Sequence, residues 1–446
     1  MPTAHPTPAT PTSNRQQPAG LLRRHFADVR RQSRRLVEPL EPEDFVIQTM
    51  PDVSPTKWHL AHTTWFLETF LLEPHLPGYT PFNSKFGYLF NSYYITVGER
   101  HCRPKRGQIS RPTVDEVMAY RAHVDAAMHR LFDAADANLQ DAEHGWGVLR
   151  PLVEVGIHHE QQHQELMVTD IKHVFACNPL YPAYRSQEPS SSRVVSPTQF
   201  VSFEEGVYEI GHAGDDAAGF AYDNEGPRHK VYLQPFSIAD RLVTCGEWIS
   251  FIEDGGYRRA DLWLSDGWNW VQANRAMAPS YWDRRDGEWW HYTLAGMRPV
   301  TGDEPVCHVN FYEADAYARW AGARLPTEPE WEVACGDAAA VRNATAVGNF
   351  VEDERFHPQA ARGTTDGKLD AMLGDVWEWT GTQYRPYPGY QPPAGALGEY
   401  NGKFMSNQFV LRGGSCATPR SHIRSTYRNF FPPEAQWQFT GVRLAK

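Results

Sequence analysis

The sequence predicts a two-part molecule, an α-helical bundle followed by an irregular α+β domain. Three observations carry this reading. Up to about residue 185 the apolar residues recur with helical periodicity over long stretches. Beyond residue 197 that periodicity mostly fails as Gly, Pro and Trp rise. Tryptophan itself is split unevenly, with 3 of the 15 before residue 197 and 12 after it. Between the two parts lies SQEPSSSRVVSP, residues 186–197, with the composition of a linker. The expected division is a disordered tail over 1–20, a bundle over 21–185, the linker over 186–197 and a second domain over 198–446.

The first helix is Arg-rich and spans about 21–40. Ser54-Pro55 offers an N-cap followed by proline at the first helical position, opening a second helix through about residue 72. Thr113-Val-Asp-Glu116 has the pattern of a capping box before a third helix that runs to about Asn138. A fourth spans about 149–176. Four long helices in roughly 165 residues make a four-helix bundle. In the second part, helices are expected near 244–255 and 312–321. The remainder reads as short apolar runs broken by turns at Asp254-Gly255-Gly256, Asp366-Gly367 and Gly413-Gly414.

Composition narrows the function. The formal charge of −11 argues against a general nucleic-acid binder, which needs a basic surface. No run approaches the 18 apolar residues of a membrane span. The N-terminal stretch MPTAHPTPATPTSNRQQPAG lacks the apolar region of a secretory signal. Six cysteines without a CxxC pair read as reduced thiols, so the expected location is the cytoplasm and a disulfide framework is not expected.

Chemistry-bearing spacing appears in the fourth helix, where His159 and His163 lie four apart on one face and can share a metal ion. The same residues satisfy HExxH, with Glu160 as the would-be base of a zinc protease. However, no third ligand follows, since Gln164 to Asp170 holds no histidine and Glu188 falls in the linker. The second helix offers His59 and His62 among tryptophans. Either histidine could face the pair across the bundle, or could simply be a satisfied core residue. Three neutral imidazoles without a thiolate suit a non-haem iron centre with open positions.

His159, His163 and Glu165, with His62 in AHTTWFLETF, resemble the DinB-like bundle of the sulfoxide synthases of ergothioneine biosynthesis, the hercynine oxygenases. The second half resembles the formylglycine-generating-enzyme (sulfatase-modifying-factor) domain, which is C-type-lectin-like. The matching strings are Pro305-Val-Cys-His-Val-Asn310, Arg324-Leu-Pro-Thr-Glu-Pro-Glu-Trp331-Glu332, Gly374-Asp-Val-Trp377-Glu-Trp379-Thr380, Arg412-Gly-Gly-Ser415 and Gly441-Val-Arg-Leu-Ala445. Together the resemblances cover nearly everything from about residue 21 to the C-terminus.

The resemblance implies an oxidoreductase using Fe(II) and dioxygen to join cysteine to hercynine, giving hercynylcysteine sulfoxide. It implies His62, His159 and His163 as iron ligands and Gln162 as the group on the hercynine imidazole. Asn429 would meet the hercynine carboxylate and Phe430 its trimethylammonium. Arg103 and Arg106 would bind the carboxylate of the thiol. Glu165 would orient a ligand histidine or remain a solvated carboxylate. Members that use γ-glutamylcysteine carry an acid where this chain has Phe431, so free cysteine is the expected thiol. Tyr93 and Tyr94 are the candidate proton donors, with their phenols expected to point oppositely along an extended segment; Tyr384 and Tyr387 are the alternatives. Small-molecule substrates are the expected partners, without nucleic acid or membrane. The rival readings are the same chemistry with γ-glutamylcysteine or an ovothiol-type pair, and a non-enzymatic binding protein. Formylglycine generation would need two reactive cysteines, and only Cys416 lies near Arg412-Gly-Gly-Ser415.

Overall fold

The computed structural model describes residues 19–137, 145–186, 195–214, 219–336, 338–363, 369–399 and 401–446. Nearly all of the expected tail, most of the linker, Asn138 and the Asp366-Gly367 turn lie outside them. Four long helices form the first part: α1 (Ala19–Val37), α2 (Thr56–Leu67), α3 (Val114–Ala137) and α4 (Trp146–Ala176). The capping box forms at α3, where Glu116 N–H donates to Thr113 Oγ1 (3.1 Å) and Thr113 N–H donates to Glu116 Oε2 (2.7 Å).

The start of α2 differs from expectation. The helix opens at Thr56 with Pro55 in the cap position and no side-chain cap. Ser54 cannot cap it, because its hydroxyl accepts from Arg106 Nη1 (2.9 Å) and its N–H donates to Asp170 Oδ2 (2.8 Å). Beyond Leu67 the chain continues through a wider turn, Glu68–Leu72, to Glu73–His75. Every residue of α2 is buried, as befits the central helix packed against both α3 and α4. Gly156 of α4 permits that approach: a Cβ there would stand 2.9 Å from Leu67 Cδ2.

The second part is built on a sheet in the spatial order Asn429–Phe431, Phe409–Arg412, Trp377–Gln383, Thr440–Gly441. The first three strands pair antiparallel and the last joins in parallel. Among the described residues two two-stranded ribbons and a three-stranded one, Trp282–Arg285, Glu288–Thr293 and Gly296–Pro299, accompany it. The expected helices appear as Cys245–Glu253 and Phe311–Trp320, each with a capping box. Three more were not anticipated: Ser265–Asn274, Glu328–Cys335 and Ala338–Val347. At eight to ten residues each, they are too short for periodicity to reveal them.

The motif strings of this part meet in its core. Arg412 pairs with Glu328 (3.0 Å) and with Glu332 (2.5 Å), and Arg428 pairs with Glu328 (2.7 Å). Arg443 pairs with Glu378 (2.8 Å), which also accepts from Trp331 Nε1 (2.8 Å). Buried charges persist only when paired and hydrogen-bonded, so these strings hold the irregular domain together. Among the described residues no helix is long and apolar enough to cross a membrane.

Candidate metal centre and substrate cavity

Helix α4 serves both parts of the molecule. One face turns His159 and His163 into the bundle, and the adjoining face docks on the second domain. There Glu165 accepts from Trp377 Nε1 (2.7 Å), Ser415 Oγ (2.6 Å) and Thr418 Oγ1 (2.7 Å). Gln161 donates to Ser421 Oγ (2.7 Å) and Gln162 donates to Tyr427 Oη (2.6 Å). Both expectations for Glu165 are therefore corrected. It neither orients a ligand histidine nor faces solvent, because three donors of the second domain occupy its carboxylate. Glu160 is likewise no catalytic base: Arg30 (2.7 Å), Arg121 (2.8 Å) and Ser33 (2.6 Å) bind it, and they hold its carboxyl down to about 2 against the cost of burial.

His62, His159 and His163 converge. One ligand nitrogen from each lies within 4.8 Å of the others, and all three residues are buried. That spacing is compact enough for three imidazoles to share one ion. His62 donates through Nδ1 to Phe90 O (2.6 Å), which leaves its Nε2 buried without a hydrogen-bond partner among the described residues. Burial pushes all three imidazoles below their ordinary value, His159 to about 3. They are neutral at physiological pH, with lone pairs available to a metal. The residues present fit a three-histidine ion.

His59, the other candidate from α2, is not part of the cluster. Its Nδ1 meets His163 Nδ1 at 2.8 Å and its Nε2 meets Asp170 Oδ2 at 2.9 Å. Asp170 escaped the sequence reading, although its place seven residues after His163 keeps it on the same helical stripe.

Aromatic rings wall the cluster. Trp58 stacks on His62 with centroids 4.6 Å apart, and Trp65 lies against the other side at 5.5 Å. The Arg106 guanidinium carbon sits 3.3 Å from the Trp58 ring centroid, and Arg106 donates to Ser54 and to Ser92 Oγ (3.0 Å). Arg103, three residues earlier, is exposed and donates to Asp52 O (2.7 Å). Of the expected pair, only Arg106 is built into the wall.

Beside Gln162 opens a cavity of about 180 Å³, also lined by Tyr93, Asn429 and Phe430 and by Tyr222, Asn224, Asn401, Phe404, Tyr427 and Arg428. Phe431 is not in this lining and packs edge-on against Trp437, centroids 5.5 Å apart. Tyr93 and Tyr94 do not diverge as an extended segment would require. Residues 91–97 turn, and the two rings lie side by side at 4.9 Å and 31°. Asn91 shapes the turn by donating to Tyr94 O (3.0 Å) and Gly98 O (3.2 Å). From the second domain, Glu399 accepts from the backbone of Ile95 (3.0 Å) and Thr96 (2.9 Å), and Lys403 donates to Tyr93 O. Tyr384 stacks on Phe430 at 4.0 Å, and its hydroxyl accepts from Asn224 Nδ2 (2.9 Å).

A second cluster, His291, Glu304 and His357, is buried in the second domain. Arg298 donates to both oxygens of Glu304 (2.8 and 2.7 Å) and to His291 Nε2 (3.2 Å). A cation there would have to displace the guanidinium, so the cluster is an internal ion pair.

Residues 25–167 match the DinB superfamily and residues 185–446 match the sulfatase-modifying factor enzyme 1-like domain. The hercynine oxygenase of Mycolicibacterium thermoresistibile is 32% identical over 95% of this chain and 94% of its own length. The chain belongs to the hercynine oxygenase family. The hercynine oxygenase of Mycobacterium tuberculosis agrees, at 33% identity over 94% of this chain and 97% of its own. The formylglycine-generating enzyme of Streptomyces coelicolor is 28% identical over 59% of this chain and 94% of its own length. The fold is thus a DinB-like helical bundle joined to a C-type-lectin-like domain of the sulfatase-modifying-factor kind, as the motifs indicate.

Proposed function

We propose that this member of the hercynine oxygenase family joins cysteine to hercynine in ergothioneine biosynthesis, using iron(II) and dioxygen. The observation that carries the reading is the joint placement, on α4, of two histidines of a buried three-histidine cluster and of Gln162 in the wall of an aromatic cavity. The reaction balances: a thiol S–H, an imidazole C–H and O₂ give a C–S bond, a sulfoxide oxygen and one water. Dioxygen accepts two electrons from bond formation and two from sulfur. His62, His159 and His163 would hold the iron(II), which when bound would supply the redox chemistry toward dioxygen.

The protein's own groups bind, orient and move protons. A trimethylammonium cannot donate hydrogen bonds, so the faces of Phe430, Phe404 and the lining tyrosines suit it. Gln162 and Asn429 offer amides to the imidazole and carboxylate of hercynine. Arg106, with Arg103 three residues before it, would meet the thiol carboxylate, a task suited to a planar guanidinium. Phe431 places no acid near the thiol, which favours cysteine over γ-glutamylcysteine. Tyr93 and Tyr94 hold the proton that sulfur–carbon coupling requires. Burial and the neighbouring Tyr93 raise Tyr94 above its ordinary value, so its phenol stays protonated. The proposed division into a bundle over 21–185 and a second domain over 198–446 assigns the metal to the first and hercynine mainly to the second.

The test is aerobic turnover of iron(II)-loaded protein with hercynine and equal amounts of the two thiols, read by mass spectrometry. The expected product is the cysteine sulfoxide adduct. A γ-glutamylcysteine adduct would overturn the thiol assignment, and the absence of any adduct would favour the binding-protein reading.

A further inference from the structure

The hydrogen bonds behind His163 form an unbroken line. His163 Nδ1 meets His59 Nδ1 at 2.8 Å, and His59 Nε2 meets Asp170 Oδ2 at 2.9 Å. All three residues are buried. Asp170 accepts two further donors, Ser54 N–H on Oδ2 (2.8 Å) and Trp437 Nε1 on Oδ1 (3.2 Å). Surrounded by N–H groups, it acts as an acceptor-only carboxylate. A metal on His163 Nε2 orders the protons along the line: His163 carries its proton on Nδ1 and donates it to the Nδ1 lone pair of His59, whose own proton on Nε2 goes to Asp170. The reverse arrangement would set a lone pair of His59 against the carboxylate.

We propose that Asp170 and His59 are positioning residues that fix the tautomer and ring orientation of His163 as a metal ligand. The proposal rests on the reading of His62, His159 and His163 as a metal centre. Nothing comparable backs His62, whose Nδ1 donates to a carbonyl. His62 and His163 are therefore backed differently, one by a backbone carbonyl and the other by the His59–Asp170 pair. Because Trp437 belongs to the second domain, the line also ties that domain's seating to the metal ligand.

The test uses full-length protein titrated with Co(II), followed by its visible d–d bands, and with Fe(II) by competition against a chelator. The variants are Asp170→Asn, His59→Phe and His59→Gln, with His62→Ala as reference, each checked for native melting. His59→Phe keeps the ring shape without the hydrogen bonds. His59→Gln offers an amide oxygen to His163 and an N–H to Asp170. Loss of such supporting partners weakens metal binding about 10- to 100-fold. That loss, with shifted Co(II) bands, is expected for Asp170→Asn and His59→Phe, with substantial recovery in His59→Gln. Unchanged affinity and bands in Asp170→Asn and His59→Phe would overturn the relay alone. Equal loss in both His59 variants with none in Asp170→Asn would also overturn it, making His59 a packing residue. Wild-type binding no tighter than His62→Ala would remove the centre itself, and the relay with it.

Discussion

Tyr93 and Tyr94, the proposed proton donors, occupy different places. Tyr93 lines the cavity beside Gln162, whereas Tyr94 is buried behind it against Trp65, Phe66 and Phe70. Removing the phenol that delivers the proton should divert sulfur oxidation toward cysteine sulfinate. With iron content verified, Tyr93→Phe, Tyr94→Phe or the double variant should raise sulfinate at the expense of the adduct, as read by mass spectrometry. Unchanged partition in the double variant would move the proton donor elsewhere. Legibility at this scale depended on what each side chain meets. His159 and His163 were readable because helical spacing puts them on one face. Glu165 was not, because its partners Trp377, Ser415 and Thr418 lie more than 200 residues away in sequence. Spacing alone did not separate His59 from His62; the resemblance pointed to His62, and the structure gathers His62 with His159 and His163 while His59 turns to Asp170.

At the scale of elements, α4 carries both the histidine pair and the contacts to the second domain, where Glu165 accepts three of the hydrogen bonds. Glu165→Ala would leave three buried donors without an acceptor and should cost about 2–3 kcal/mol, read by chemical denaturation. A second case is the Arg443–Glu378 pair under the sheet. Arg443→Met strands a buried carboxylate and should cost about 3–5 kcal/mol. Loss of under 1 kcal/mol would contradict the pairing role assigned to it. Gly374 occupies φ +90°, where a Cβ would stand 2.5 Å from Asn349 O, so the glycine of Gly374-Asp-Val-Trp377 serves the backbone. The long helices were legible because periodicity accumulates over several turns. The Ser54 cap was misread because tertiary partners, Arg106 and Asp170, claimed a residue that local chemistry offered to α2.

For the whole molecule, the joining surface is rich in neutral histidine. His158 meets His422 Nδ1 to Nδ1 at 2.9 Å and stacks on Phe220 at 4.0 Å. Burial holds both histidines well below the ordinary value of 6.5; His422, Arg424 and His25 lower His158 further, and Arg424 and His25 lower His422. The unfolded chain therefore takes up protons first as pH falls. Stability is full above about pH 6.5 and drains below it, by up to about 1.4 kcal/mol per pH unit for each such histidine. The melting temperature of metal-free protein should drop between pH 7 and 5.5, less steeply in a His158→Gln/His422→Gln double variant. Equal slopes would contradict this account of the interface. The two-part architecture was visible in the tryptophan split and the change in periodicity. The docking of one part on the other was not, since it rests on single hydrogen bonds between distant residues. The central claim is that three histidines of the bundle hold the iron that drives carbon–sulfur coupling. Its most direct test is to measure bound iron and sulfoxide adduct in the same samples of wild type and of His62→Ala, His159→Ala and His163→Ala. The account predicts one iron per chain and adduct in wild type, with both lost in each folded variant. Full iron in any of the three, or adduct formed by metal-free protein, would contradict it.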